Sequence, residues 1–255
     1  MRELVISHIK KALHVIKKEG IASLLAVATL NVLQMISFPF FSRRIPSITW
    51  DCGLGKVVDF AFNGGFQFLR PFQIKSEISS LLVELEKNRP NNIVEIGTAR
   101  GGTLFLFTRI ATDNASVISI DQMDKNYMGG YPTWKTNFYK SFAKKNQRIH
   151  LLRADSHDLT TLNDTKNILS GNKVDFLFID GDHSYNGVKK DFDLYGPLVR
   201  SGGIVAFHDI CQPIEGTHGV NEFWQEIKDG FEFKEIIEDK NQGWAGIGLL
   251  LMEKS

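Results

Sequence analysis

The chain has 255 residues, 43% hydrophobic and 23% charged, a balance that is typical of a buried globular core and excludes the disordered and fibrous classes. Its two cysteines, Cys52 and Cys211, are too few for a disulfide framework and lack metal-type spacing, which favours a reducing cytosol and a cytoplasmic location. The net charge of +1 is asymmetric, because residues 1–44 carry seven Lys/Arg against two Glu and leave the remainder at −4.

A helical and basic N-terminal region is predicted over residues 1–60. Residues 2–18 place apolar side chains at helical spacing with lysines between them, as in a basic amphipathic helix. The stretch 21–41 carries no charge and is long enough in principle to cross a bilayer. Its polar residues fall on one side, however, which favours a helix at an interface or packed on protein. We therefore expect this region to dock on the main domain or peripherally on the inner face of a membrane.

Strand-like and helix-like segments alternate from residue 72 onward, which is typical of a parallel sheet covered on both faces. The last two segments have no helix between them and predict an antiparallel hairpin. Residues 61–255 are thus predicted to form one α/β domain with a Rossmann-like, doubly wound, mostly parallel seven-stranded sheet. The predicted strands are Ile93–Ile96, Val117–Ile120, Ile149–Arg153, Val174–Ile179, Ile204–Phe207, Phe231–Ile237 and Trp244–Leu251. The predicted helices are Phe72–Lys87, Thr103–Ala111, Trp134–Lys145, Thr161–Ser170 and Ser184–Leu194.

A glycine loop, 97–102, follows the first strand, at the edge where open parallel sheets bind ligands. It differs from the dinucleotide fingerprint G-x-G-x-x-G because Ala99 stands at the second glycine position. A pyrophosphate must approach the backbone closely there, whereas a ligand without phosphates tolerates a side chain. Glu95 beside the loop would repel a phosphate but could pair with an ammonium group, which S-adenosylmethionine offers. The pattern argues against the rival interpretation, a nicotinamide-dependent oxidoreductase.

The loop and its preceding strand resemble motif I of the class I S-adenosylmethionine-dependent methyltransferases, and the likeness covers residues 72–251. It implies that Glu95 and Gly97 hold the methionine part, that Asp121 accepts the ribose hydroxyls, and that Asp155 lies near the adenine. An acid that closes the second strand is also, independently, where a ribose diol would be hydrogen-bonded. The alternative for each lone acid is a helix cap or a solvated loop residue. The predicted cofactor-binding residues are Glu95, Gly97, Thr98, Gly101, Gly102, Asp121, Asp155, Ser156 and Asp180.

Acids and histidines follow the next two strands, in the segments 180–183 and 208–209. Because neighbouring parallel strands end at one edge, we expect these side chains to converge beside the transferable methyl group. A hydroxyl needs its proton removed before it attacks, and a divalent cation or a histidine can assist. The two segments resemble the subgroup of macrocin-type O-methyltransferases and cephalosporin hydroxylase-like proteins, similar to methyltransferase family 24. This resemblance implies Asp180 as a metal ligand and His183 as the catalytic base.

His208 departs from that subgroup, because it stands where a Glu-Asp pair would supply two carboxylate ligands. We expect Asp180, Asp209 and His208 to hold the metal, and an imidazole shifts the preference from Mg²⁺ toward Mn²⁺ or a similar ion. Asp182 is a substitute oxygen donor. The alternative is that Asp180 only orients the site and that no metal binds. His183 keeps its role in both cases.

Two loops are predicted on the acceptor side, 123–134 and 212–220. The first carries four large side chains around a glycine pair, and the second carries His218. Glycines give hinge freedom and aromatic rings give stacking area, so a lid over a sugar or polyketide-like acceptor is one interpretation. An aromatic patch packed against the N-terminal helices is the other.

The sequence as a whole predicts an O-methyltransferase that acts on a hydroxyl of a sugar, glycan or secondary metabolite. The expected partner is this small-molecule or glycan acceptor. No basic stripe crosses the main domain, which argues against nucleic acid. A homo-oligomer is left open, as is a membrane-docked protein that binds the cosubstrate without turnover.

Overall fold

A seven-stranded sheet forms the centre of the chain, in the order β3-β2-β1-β4-β5-β7-β6. The computed structural model describes residues 29, 33, 36–122, 130–212 and 219–252. The strands are β1 Asn92–Ile96, β2 Ser116–Ile120, β3 Arg148–Leu152, β4 Val174–Ile179, β5 Val199–His208, β6 Glu232–Ile236 and β7 Ile247–Leu251. Strands β1 to β5 are parallel, and β7 is antiparallel to both β5 and β6. The predicted Rossmann-like sheet and its C-terminal hairpin are confirmed.

Helices cover both faces of this sheet, and each face has its own apolar cluster. The helices are α1 Leu54–Gln67, α2 Lys75–Glu86, α3 Gly102–Ile110, α4 Lys135–Lys140, α5 Leu159–Leu169, α6 Tyr185–Tyr195 and α7 Gly219–Ile227. Strand β4 contributes Phe176 and Phe178 to one cluster and Leu177 and Ile179 to the other, so its continuous apolar run is buried on both sides. The helix predicted over 134–145 is half as long in the structure.

The chain order of the strands reverses beside β1, since β2 lies on one side of it and β4 on the other. Such a switch point leaves a crevice beyond the carboxyl ends of the strands, because the crossovers leave in opposite directions. The loops that follow β1 and β4 are neighbours there, and the backbone N–H of Asp180 donates to the carbonyl of Ile96 at 2.9 Å. This crevice is where the candidate site lies.

The segment before α1 packs on the domain. Residues 36–44 are helical, and Phe41 and Ile45 are buried in the same cluster as Phe105. The buried guanidinium of Arg109 donates to the carbonyls of Ile45, Ile48 and Phe142, which fastens this segment to α3. Burial lowers the pKa of Arg109 to about 10, so the group stays charged at neutral pH. Residues 36–48 therefore pack on the main domain. The predicted domain boundary at 60/61 falls inside α1.

Membrane contact by residues 1–44 stays a prediction. The predicted amphipathic helix at 2–18 lies outside the described residues, as does most of the uncharged stretch 21–41. Within the described ranges, no helix combines the length and the apolar character needed to cross a bilayer. Ile36 and Phe40 are 61% and 68% exposed, whereas Phe41 is buried, so this helix presents one apolar side to solvent and one to the domain.

Candidate active site

The glycine loop after β1 is pressed against the loop after β4. Gly97 has φ +93°, and a Cβ on it would lie 2.0 Å from the carbonyl oxygen of Asp180. Gly102 opens α3, where a Cβ would lie 2.2 Å from the carbonyl oxygen of Leu69. Gly101, with φ +81°, faces the ring of Tyr139. A side chain at any of these positions would collide with a neighbour, so the glycines bring three backbone segments together around one crevice.

Replacing Gly97 by Ala is expected to destabilise the fold by about 3 kcal/mol or more, because the variant combines a left-handed backbone with a collision against backbone atoms. Gly53→Ala is the matched control, since Gly53 has a similar φ of +89° but nothing lies within 4 Å of its added Cβ. The control should lose only the cost of its backbone conformation, which at φ 89° and ψ 146° is on the order of 1–3 kcal/mol. Urea unfolding of both variants measures the difference, and equal losses would show that the contact with Asp180 is unimportant.

Glu95 is a carboxyl group enclosed by protein. It is 0% exposed, and neither of its oxygens has a hydrogen-bond partner of normal geometry among the described residues. Burial raises the pKa of Glu95 to about 8, although the nearby Thr103 hydroxyl opposes this rise. A buried polar group without partners costs free energy unless a ligand supplies them. The arrangement suits a cationic ligand group.

The Asp121 side chain holds the glycine loop by accepting hydrogen bonds from backbone N–H groups of that loop. One carboxylate oxygen accepts from the N–H groups of Thr98 and Ala99 at 3.0 and 2.7 Å. The other accepts from Gln122 and Gly130 at 2.8 and 3.0 Å. A carboxylate offers about four lone-pair directions, so ribose hydroxyls would have to replace some of these donors. The ribose role of Asp121 stays a prediction.

Asp155 and Ser156 lie just beyond the carboxyl end of β3. Asp155 accepts from the backbone N–H of His157 at 2.9 Å and is 43% exposed in its side chain. The carbonyl of Ser156 accepts from the hydroxyl of Tyr195 at 2.9 Å. Asp155 therefore orders its own loop, as the solvated-loop alternative predicts. A contact with adenine stays a prediction for both residues.

The structure brings Asp180, His183 and Asp209 together, as the strand ends predict. Each offers one ligand atom, and these atoms lie within 4.8 Å of one another. His183 Nδ1 is 2.8 Å from Asp209 Oδ2, and His183 Nε2 is 3.7 Å from Asp180 Oδ1. Asp209 has φ 64°, a conformation that a non-glycine residue keeps only where its surroundings hold it. Two carboxylates and an imidazole could hold a divalent cation or move a proton.

His208 lies against the same two carboxylates but outside that group of three. It is 4% exposed, and its Nδ1 is 3.2 Å from Asp180 Oδ1 and 3.3 Å from Asp209 Oδ1. Burial alone would lower the pKa of His208, but Asp180 and Asp209 outweigh it and raise that pKa to about 10. Although burial would raise the pKa of Asp209, hydrogen bonds from His183 and His208 hold it well below its ordinary value. The His208 cation thus offsets part of the negative charge of the two acids.

Two contributors to this site carry no sequence signal. Gln73 Nε2 donates to Asp180 Oδ2 at 2.7 Å, from the segment between α1 and α2. The backbone N–H of Ala245 donates to Asp209 Oδ1 at 3.1 Å, from the connection between β6 and β7. Asp182, considered as an oxygen donor, instead accepts from the backbone N–H of Ser184 at 2.9 Å. Only the tertiary structure reveals these partners.

The first acceptor-side loop is described only from residue 130. Tyr131 is buried with its ring 4.9 Å from that of Tyr139. Trp134 is 57% exposed, and its ring lies 5.7 Å from that of Phe38 in the N-terminal helix. These contacts favour the packed aromatic patch over the lid. Residues 123–129 and 213–218, including His218, lie outside the described residues.

Sequence comparisons match part of the chain to a family model. Residues 94–210 match the model of a family described as a methyltransferase domain. An uncharacterized protein of Acanthamoeba polyphaga mimivirus is 30% identical over 145 residues, which cover 56% of this chain and 62% of that protein. An uncharacterized protein of Sinorhizobium fredii is 29% identical over 142 residues, 54% of this chain and 15% of that protein. The chain thus spans less than two thirds of the length of either relative.

Structural comparisons agree on the fold. An O-methyltransferase from Bacillus cereus in complex with SAH superposes with a TM-score of 0.53 at 19% identity, covering 87% of this chain and 97% of that one. The O-methyltransferase TomG from Streptomyces achromogenes, in complex with SAM, gives 0.53 at 17% identity over 79% and 89%. CalS11, a TDP-rhamnose 3'-O-methyltransferase, gives 0.54 at 17% identity over 78% and 91%. At 17–19% identity, these comparisons show that the chain shares its fold with these proteins.

Proposed function

We propose that this chain, of which residues 94–210 match a methyltransferase domain, binds S-adenosylmethionine and transfers its methyl group to a hydroxyl oxygen. The observation that carries the proposal is the buried carboxyl group of Glu95 beside the glycine loop, for which the described residues supply no hydrogen bond of normal geometry. An ammonium group stabilises the ionised form of such a carboxyl, whereas a phosphate repels that form. S-adenosylmethionine carries an ammonium group, and nicotinamide dinucleotides carry phosphates.

The crevice above the glycine loop supports the same assignment. It is lined by segment 70–73, by loop 97–100 and by Asp180. Glu95 lies directly beneath this loop, and its pKa responds to Thr98, Thr103 and Asp180 around it. The methionine end of the cosubstrate would therefore lie next to Asp180, and its sulfonium would supply a methyl group at the edge where β4 and β5 end. The acceptor hydroxyl has to reach the same edge.

His183 is the proposed base for that hydroxyl. Its Nδ1 is bound to Asp209 at 2.8 Å, and this bond fixes the tautomer that carries the proton on Nδ1. The neutral ring then has its basic nitrogen at Nε2, on the side of Asp180. Asp180 is held in turn by Gln73 and His208, so the site is oriented before the acceptor arrives. His183 takes the hydroxyl proton through Nε2 as the oxygen attacks.

A divalent cation is the alternative proposal for this edge, because a His183 that binds a cation through Nε2 cannot also take a proton there. Asp180, Asp209 and His183 have the spacing and the donor chemistry to hold Mn²⁺ or Mg²⁺, and His208 faces the same carboxylates. Such a cation would lower the pKa of an oxygen bound to it. Because the His208 cation already offsets part of the charge of the two acids, the proposal requires the metal ion to bind beside a buried positive charge.

The proposed acceptor is a hydroxyl of a sugar, glycan or secondary metabolite. Its support is the resemblance in segments 180–183 and 208–209, together with CalS11, whose described activity is methylation of TDP-rhamnose. Fold alone does not set chemistry, and the shape of this chain's own clefts has to decide the acceptor.

Calorimetric titration with S-adenosylmethionine, S-adenosylhomocysteine and NAD tests the proposal. We expect the two adenosyl ligands to bind and NAD not to bind, because Glu95 and Ala99 disfavour a pyrophosphate. Parallel titrations with Mn²⁺ and Mg²⁺ test the cation, and Asp180→Asn should weaken any metal binding seen. Binding of NAD alone would overturn the proposed function. No cation binding to the wild type would overturn the metal proposal and leave the methyl transfer intact.

A further inference from the structure

A second cleft lies beside the candidate site and takes no part in the cosubstrate binding proposed above. It measures about 480 Å³, within the range of about 300–1,000 Å³ for small-molecule pockets. One wall is formed by the end of α1 and by segment 70–75, and the other by residues 238–244 between β6 and β7. We name it the Trp244 cleft after the exposed indole that lines it. We propose, on the basis of the methyl transfer proposed above, that it binds the acceptor and that the acceptor is a neutral, polyhydroxylated ring.

The Trp244 cleft adjoins the reacting edge through residues of both its walls. Gln73 lines both this cleft and the crevice above the glycine loop, and it donates to Asp180. From the other wall, Ala245 follows Trp244 directly and donates its N–H to Asp209. Gln73 therefore borders a molecule in the cleft directly, whereas the buried Ala245 is joined to the cleft through Trp244. The proposal places the acceptor oxygen on the side of Gln73, toward His183, which lies between those two acids.

The wall that carries Trp244 is rigidly built. The buried carboxylate of Glu77 accepts from the backbone N–H groups of Glu238 and Gly246 at 3.1 and 3.0 Å. It also accepts from Gln242 Nε2 at 2.8 Å, and the same amide nitrogen donates to the carbonyl of Trp244 at 2.7 Å. A buried acid thus fixes a connection whose indole stays 54% exposed. Such preorganisation of an exposed aromatic ring is what a binding platform requires.

The charges of the Trp244 cleft favour a neutral ligand. The cleft is lined by two cations and two anions, so their formal charges sum to zero. Each of these four side chains also makes a polar contact within the protein. Lys75 pairs with Asp59, and Arg70 donates to Gln67. Glu238 accepts from Ser76, and Asp239 accepts from the backbone N–H of Asn241. The lining thus has no net charge that would favour a phosphate or a carboxylate.

The remaining lining suits hydroxyl groups on a ring. The side-chain amides of Asn63 and Gln73 offer donors and acceptors, and the Oε1 atom of Gln73 has no hydrogen-bond partner among the described residues. The face of an indole carries partial negative charge and attracts the C–H face of a saturated ring. An aromatic platform combined with amides therefore fits a hexose better than a flat apolar ring.

The test uses the full chain loaded with S-adenosylhomocysteine, so that binding is measured without turnover. Saturation-transfer NMR would give the affinities of methyl α-D-glucopyranoside, methyl α-L-rhamnopyranoside, glucose 1-phosphate and catechol. We expect at least one of the two hexosides to bind better than the phosphate and catechol. Trp244→Ala should weaken that hexoside about tenfold, and Trp134→Ala, which removes an equally exposed indole outside the cleft, should not.

Each other outcome has a distinct meaning. Absence of S-adenosylhomocysteine binding would overturn the proposed function and this inference with it. If that ligand binds but no hexoside does, or if glucose 1-phosphate or catechol binds better, the neutral polyhydroxylated acceptor is wrong. If a hexoside binds with equal affinity to the wild type and to Trp244→Ala, the acceptor lies elsewhere, and methyl transfer stands. Melting temperatures of both variants check that the fold is retained.

Discussion

The His183→Ala variant is expected to lose about 10²–10⁴-fold in the rate of methyl transfer while its affinity for S-adenosylhomocysteine stays within about twofold. The imidazole is the group placed to accept the acceptor's proton, because Asp209 holds its Nδ1 and leaves Nε2 toward Asp180. Glu95 and the glycine loop, which would hold the cosubstrate, do not depend on it. Single-turnover transfer from labelled S-adenosylmethionine, with calorimetry for affinity, separates the two effects.

Two further variants show whether the loss comes from proton transfer or from disturbed packing. His183→Gln keeps an amide that can donate to Asp209 but cannot take a proton, so it should be as slow as the alanine variant. His150→Ala removes a half-buried histidine from the edge strand β3, away from the site, and should keep the wild-type rate. A fast His183→Gln variant would contradict the role as base and leave His183 with a positioning role only.

Glu95→Gln is expected to weaken S-adenosylhomocysteine binding by about 10- to 100-fold at pH 8.5, because an ionised carboxyl paired with an ammonium is lost. Proton release gives a sharper signature. The pKa of Glu95 in the free protein is about 8, so the group is mostly protonated at pH 7. A bound ammonium favours the ionised form, and close to one proton should leave on binding. Calorimetry in buffers of different ionisation enthalpy measures this number, which should fall to zero in Glu95→Gln.

The control for this experiment is Glu84→Gln, which removes a carboxyl that is paired with two lysines far from the glycine loop. It should keep both the wild-type affinity and the proton release. Binding by the wild type without proton release at pH 7 would contradict the pairing of Glu95 with the ammonium group. Equal affinity in Glu95→Gln and the wild type would contradict it as well.

The same substitution should stabilise the protein without ligand. The pKa of Glu95 is raised in the fold to about 8, above its ordinary value of 4.5. Stability linked to this group is therefore full below pH 4.5 and falls as the pH rises toward 8. Glutamine does not ionise, so Glu95→Gln should gain up to about 3 kcal/mol at pH 7, and this gain should disappear near pH 4. Urea unfolding at the two pH values measures the change.

The sequence by itself determined the sheet and the edge where the site lies. Three sequence features are informative in a parallel sheet. The apolar run of β4 predicts burial on both faces, and the glycines after β1 and the acids after the strands predict a ligand site at the carboxyl edge. Since the carboxyl ends of parallel strands meet at one edge, Asp180, His183 and Asp209 could be expected to converge, and they do. The sequence also predicts that Glu95 lies beside the ligand loop, because it stands at the end of the strand that leads into that loop.

Only the tertiary structure decided how those side chains are held. Gln73 reaches Asp180 and Ala245 reaches Asp209 through single hydrogen bonds from distant segments, and such bonds follow no spacing in the chain. His208 stays a predicted ligand, and packing places it against both carboxylates beside the group of three that contains His183. The Trp244 cleft likewise arises where three separate segments meet. Residue patterns set local structure and shared edges, whereas contacts between remote backbones depend on how the whole chain packs.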